Sequence, residues 1–464
     1  MATAIARPAE WVTPAHVTDL SRSLGEPEAS RERRLAAYER FLELPIEPNP
    51  LYRGYGYFTN VDLSGLDAVS RGAAVGVPKP PEGTVRIVHD AQGTRASVPP
   101  ALRDAGVSVV TLSAEEEGRL RAPGSRFSDS EEPSDRLSAL SVALLNRGYL
   151  LEVPDRLRAA VHVQDITVLS RPHEALSVRR VVRAGENAQL LLTEEVYSDP
   201  ATSGAQRLYA SAVDVDLGAN AKAVYLTMHA PDSRAVSIYQ RAATTGRASR
   251  LAWLWLGLGG FRSKARNRTR LVGQGSVVDD LQLFYGAGEQ SYDSSVHLTH
   301  EGTDTHGQSI TRGVFTDRAR GMSRGLVRIE KDATKTLSFI SEHAMLLSRG
   351  ARSDTIPILE ILCRDVKATH STSVHPVDPE QVFYLESRGI READAIRMIG
   401  EGFLSYVLDR APITSLRDLV YPALEARWNG EELAWAADGS RALPELQVTG
   451  TEGAPEWRFD AKLR

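Results

Sequence analysis

The chain of 464 residues carries a single cysteine, Cys363. That excludes an intramolecular disulfide and any all-cysteine zinc or cluster site built within one chain. No extended basic tract occurs among its 55 basic and 60 acidic side chains, and the formal charge is only −5. Nucleic acid is therefore not an expected partner. The most apolar run, residues 251–261, is far shorter than the ~20 residues that span a bilayer, so no membrane role is expected. Residues 1–11 lack a basic head followed by an apolar stretch, so no secretory signal is expected and the expected location is the cytoplasm. No GxxxxGK[ST] phosphate loop and no HExxH zinc pair are present, so any ATP hydrolysis must come from a partner. Gly257, Gly259 and Gly260 hint at a dinucleotide loop, but Arg262 stands where its third glycine belongs.

What is present changes character along the chain. Residues 1–152 read as a helical or mixed region, with Leu35, Tyr38, Phe41 and Leu42 at helical spacing before Pro45. Two apolar strand candidates fall within 84–112, and the acidic, Ser-rich stretch 115–135 reads as a surface loop. From 153 to about 375, short alternating strands are separated by small-residue turns. Gly185-Glu186-Asn187-Ala188 and Gly218-Ala219-Asn220-Ala221 nearly repeat one another, each before an apolar strand. Looser versions occur at 273–276, 331–334 and 349–352. Stacked coils need such turns, because neighbouring turns nest closely. A β-sandwich fits the same spacing. Residues 376–428 read as helical: Asp378 is a candidate N-cap with Pro379 at the first helical position, and Arg388-Gly389 is a helix end. The tail 429–464 has no assignable pattern.

The segment 354–390, DTIPILEILCRDVKATHSTSVHPVDPEQVFYLESRGI, is the most specific. It orders a Pro-marked strand, a polar turn carrying His370, an Asp-Pro helix start and FYLESRGI. This order resembles the end of the core domain in the SufB/SufD family, the scaffolds of SUF-system iron–sulfur cluster assembly. The resemblance implies a mostly β protein with a right-handed parallel β-helix core, flanked by N-terminal and C-terminal helices. It also implies a SufB-type subunit (or a second copy) as one partner and a SufC-type ABC ATPase as another. A transient iron–sulfur cluster at a subunit interface follows from it, and flavin binding is left open. Ile396, Ile399, Phe403 and Val407 are then expected to support the ATPase-binding surface.

By local motif the chain is closer to the SufD type: Thr369-His370-Ser371-Thr372 has no glutamate after the histidine, and Ala368 stands where a cysteine is frequent. His370 is the foremost cluster-ligand candidate, with His343 and Cys363 behind it. His343 falls near the place where SufB-type members carry their functional cysteine, and an imidazole ligates but cannot carry persulfide sulfur. Cys363 reads alternatively as a half-buried strand residue. His300 and His306 are a lesser metal candidate, since 300 and 297 face opposite sides of a continuous strand. Two other functions fit parts of the sequence. One is a specialised paralogue that keeps fold and docking but assembles no standard cluster. The other is a β-helix carbohydrate-active enzyme using acids such as Asp279, Asp280, Glu330 and Glu360.

Overall fold

The computed structural model describes residues 12–47, 63–111, 135–202, 204–413 and 415–435. From Arg147 to Pro376 successive strands alternate between two sheets, each pairing in parallel with the strand two places along the chain. One sheet has ten strands and ends on Val366–Pro376; the other has nine and ends on Arg352–Ile361. The chain is therefore a parallel β-solenoid of about eight coils, with helices at both ends of the sequence. A sandwich of antiparallel sheets is ruled out by the pairing.

The small-residue turns do what close nesting requires. Gly185, Gly218, Gly246, Gly273 and Gly302 stack in a column along one rim. A Cβ on Gly218 would sit 2.8 Å from the Gly185 carbonyl carbon, and one on Gly273 would sit 2.0 Å from that of Gly246. Only glycine lets the backbones approach this closely. Asn187 and Asn220, at φ +60 and +56, take the left-handed conformation that asparagine tolerates. The turn at 349–352 belongs to the opposite rim, as does Gly257-Leu258-Gly259-Gly260, which is a coil corner rather than a nucleotide loop.

Strands from the N-terminal region extend this stack, so pairing begins before Val153. Arg147–Val153 already pairs with Ala175–Ala184, and Val85–His89 pairs in parallel with Val161–Leu169. Thr94–Ser97 and Ser108–Thr111 then close the N-terminal end by antiparallel pairing. Helices Pro14–Ser23, Glu28–Glu43 and Arg136–Ala143 pack on the nine-stranded sheet through Phe41, Leu140, Leu208 and Ile238. Most of the acidic stretch 115–135 and of the tail lies outside the described residues.

The solenoid interior is not uniformly apolar. Arg180 donates to Asp165 at 2.6 Å and lies 3.4 Å from Glu194, all three fully buried. Tyr209, Tyr225, Ser211 and Thr227 also donate to Glu194. Burial alone would raise the Asp165 carboxyl, but Arg180 and then His89 hold it well below the usual range. Ions this deep persist only with such complete pairing.

Past the last coil, Asp378 caps helix Pro379–Ser387 by accepting from the Glu380 N–H at 2.9 Å. Gly389, at φ +86, ends it. Helix Glu392–Leu408 then lies along the outer face of the ten-stranded sheet. Its Leu404 and Val407 share one buried cluster with Leu281, Leu283, Ile310 and Val314. Gly400 lets the Trp428 ring of helix Leu416–Trp428 approach; a Cβ there would sit 3.0 Å from it. The residues after this helix also have a structure: Trp435 is buried against Tyr197 and its indole N–H donates to the Gly76 carbonyl.

Candidate functional site

The terminal coil is where the fold leaves chemistry exposed. Strands Arg352–Ile361 and Val366–Pro376 are each hydrogen-bonded to a neighbour on one side only among the described residues. Ile361, Leu362 and Val374 are exposed there. Unpaired edges of this kind invite addition of another chain.

His370 lies in the middle of Val366–Pro376, opposite Ile340 in register, and is exposed. The sequence placed it in a polar turn, which needs correcting. The run Ala368-Thr369-His370-Ser371-Thr372-Ser373-Val374 is polar but rich in β-branched residues, and edge pairing to Thr336–Leu346 draws it into a strand. His375 belongs to the same strand.

His343 does not converge on His370. It pairs in register with Ser373, its Nδ1 lies 2.5 Å from Ser373 Oγ, and its Nε2 lies 3.4 Å from Ser371 Oγ. Side chains alternate along a strand, so His343 and Ser373 occupy the face opposite Ile340 and His370. Cys363 sits in the turn between the last two strands rather than within a strand. It is half-buried and packs with Leu359, Val366 and Ala368 against the core cluster containing Ile340. The thiol and His370 thus share the solenoid end, while His343 hydrogen-bonds the terminal strand from the outer face.

His300 and His306 gather no third metal ligand among the described residues. His300 is fully buried, with Nδ1 2.8 Å from Thr305 Oγ1 and Nε2 3.1 Å from Ser338 Oγ. Both ring nitrogens are engaged, and burial, then His306, lowers the imidazole to about 3. Among the described residues, no group of three or more His, Cys, Asp or Glu could hold a metal ion. At the terminal coil the candidate ligands are the His370 imidazole and the Cys363 thiol, with the exposed His375 further along the same strand.

The acids do not form a hydrolytic pair either. Asp279 and Asp280 point to opposite faces and are both buried, bonded to Gln308 and to Asn267 with Gln282 respectively. Glu330 and Glu360 flank Arg328, at 2.6 and 3.2 Å. A GxSxG string does occur, at 321–325, but it lies within strand Arg320–Ile329 and not at a strand-to-helix turn. Its Ser323 donates to Glu342 at 2.8 Å and has no histidine base.

On the C-terminal helices Val407 is buried in the chain's own core, and Ile396, Ile399 and Phe403 are half-buried. They support the helices from beneath. The outward apolar side chains are Phe383, Tyr384 and Met398, at 71%, 57% and 51% exposure. Sequence periodicity selects buried faces and so passed over these three. The signal for them is Phe383-Tyr384 in a short helix that buries only Val382.

Residues 167–403 match the family model described as SUF system FeS cluster assembly, SufBD core domain. The iron-sulfur cluster assembly protein SufD of Bacillus subtilis (strain 168) is 28% identical over 425 residues, covering 89% of this chain and 97% of that protein. An iron-sulfur cluster assembly SufBD family protein of Staphylococcus epidermidis (strain ATCC 12228 / FDA PCI 1200) is 24% identical, covering 86% of this chain and 89% of its own length. The solenoid, its terminal coil and these likenesses agree: the chain belongs to the SufBD core family of the SUF iron–sulfur cluster assembly system, and is of the SufD type.

Proposed function

We propose that the chain is a non-catalytic scaffold subunit that builds half of a cluster site. It pairs through its terminal coil with a SufB-type chain and docks a SufC-type ABC ATPase on its C-terminal helices. The observation that carries this reading is His370, exposed at the centre of a strand with an unpaired edge. Clusters are held by thiolates and more rarely by imidazoles. His370 and Cys363 cannot complete a cluster's ligand set by themselves, so the partner chain supplies the remaining ligands. Support for the ATPase surface comes from Phe383, Tyr384 and Met398, exposed on helices whose undersides are fixed in the core.

Co-purification with tagged SufB-type and SufC-type chains tests the reading. Both partners are expected to be retained, and Phe383→Ala with Tyr384→Ala is expected to release the ATPase alone. Retention of neither partner by the unaltered chain would overturn it. A second reading, a paralogue that docks both partners but assembles no standard cluster, draws on Ala368 and the small thiol count. It is separated by the cluster content of the same purified complex.

A further inference from the structure

A ring contact joins the C-terminal helices directly to the terminal strand. Phe403 of helix Glu392–Leu408 meets His375 of strand Val366–Pro376 edge-on, with ring centroids 6.1 Å apart and planes at 90°. Beneath it, Arg312 of strand His306–Phe315 places its guanidinium 5.6 Å from the Phe403 ring and 4.3 Å from that of Tyr406. The Arg312 Nη1 also donates to Ser341 Oγ, at 3.1 Å, on strand Thr336–Leu346. That strand in turn engages the terminal strand through His343, bonded to Ser373 and Ser371. All these contacts lie on one outer face, spanning the last three strands of the ten-stranded sheet.

We propose that the Phe403–His375 contact, seated on Arg312, is the link by which displacement of the C-terminal helices moves the strand bearing His370. The inference rests on the scaffold reading above and adds to it the side chains that couple its two docking surfaces. Two observations favour this route. Among the described residues the terminal strand is bonded on one side only, so it yields to a pull more readily than the strands of its sheet paired on both sides. The same strand also runs through Val377 directly into helix Pro379–Ser387. A helix shift therefore acts on it at both the covalent junction and the His375 ring, five residues beyond His370. His343 is, in this scheme, a positioning residue: it keeps the strand in register while its end moves.

The test uses the full-length chain in complex with SufB-type and SufC-type partners, following hydrogen exchange of amides 366–376 with and without ATP. In the unaltered complex, ATP is expected to change this exchange. Phe403→Leu and His375→Ala are expected to reduce that response on the order of fivefold, His375→Ala with ATPase capture unchanged. Phe403→Tyr, which keeps the ring, is expected to restore it. An ATP response of full size in both Phe403→Leu and His375→Ala would overturn the link while leaving the scaffold reading intact. Failure of the unaltered chain to capture either partner would instead overturn the scaffold reading, and the link with it.

Discussion

His343 and His370 stand on opposite faces of one sheet, His343 bonded to Ser373 and His370 in register with Ile340. Two histidines that look like a ligand pair in the sequence therefore face different sides, and separate roles are expected of them. His343→Ala is expected to cost about 1–2 kcal/mol, from the loss of its two hydroxyl contacts. It is also expected to speed hydrogen exchange across 366–376 while leaving cluster yield nearly intact. A collapse in yield equal to that of His370→Ala would show His343 to be a ligand after all.

On the C-terminal helices the buried anchors and the proposed docking face fall on different residues. Leu404→Ala is expected to destabilise the chain by about 2–5 kcal/mol, as deletion of a buried leucine does, read from urea unfolding. Phe383→Ala, on the exposed face, is expected to stay within about 0.5 kcal/mol while weakening ATPase capture. Equal destabilisation by the two substitutions would contradict this division.

The buried ions make a sharper stability test. Arg180→Met leaves Asp165 and Glu194 inside the solenoid without their shared cation. The expected cost is about 3–5 kcal/mol, seen as a lower urea midpoint. A neutral outcome would mean that the interior carboxylates find other partners.

Asp279 sets a pH dependence. Burial raises its carboxyl to about 7 from 3.8, despite the Gln308 hydrogen bond and nearby Arg250 and Arg410. The folded chain thus keeps a proton that the unfolded chain has lost between about pH 4 and 7. Stability from this group falls as pH rises through that window and levels off above it. Asp279→Asn is expected to flatten the fall, measured as the urea midpoint against pH. An unchanged profile would rule out Asp279 as its source.

Much of the solenoid was legible because its turns repeat a steric demand. Gly185 and Gly218 mark coil corners in the sequence just as they do in the stack, and Asn187 and Asn220 take the left-handed angles such corners use. Gly246 and Gly302 belong to the same column but sit in divergent strings, so local likeness did not reveal them. His370 was legible as a residue but not as a strand residue, because polarity signals a turn while edge pairing is a tertiary effect. The partners of His300 were not legible either, because Thr305 reaches its ring across a turn and Ser338 from the other sheet. Which face a histidine takes depends on register, and no single strand declares it.

The most direct measurement is anaerobic reconstitution of the chain with a SufB-type partner, iron and sulfide, comparing the unaltered protein with His370→Ala. The imidazole at the exposed edge is expected to be required: cluster absorbance should fall at least about tenfold while the two chains still co-purify. Full cluster yield in the His370→Ala complex would show that the terminal coil of this chain is not where the cluster is held.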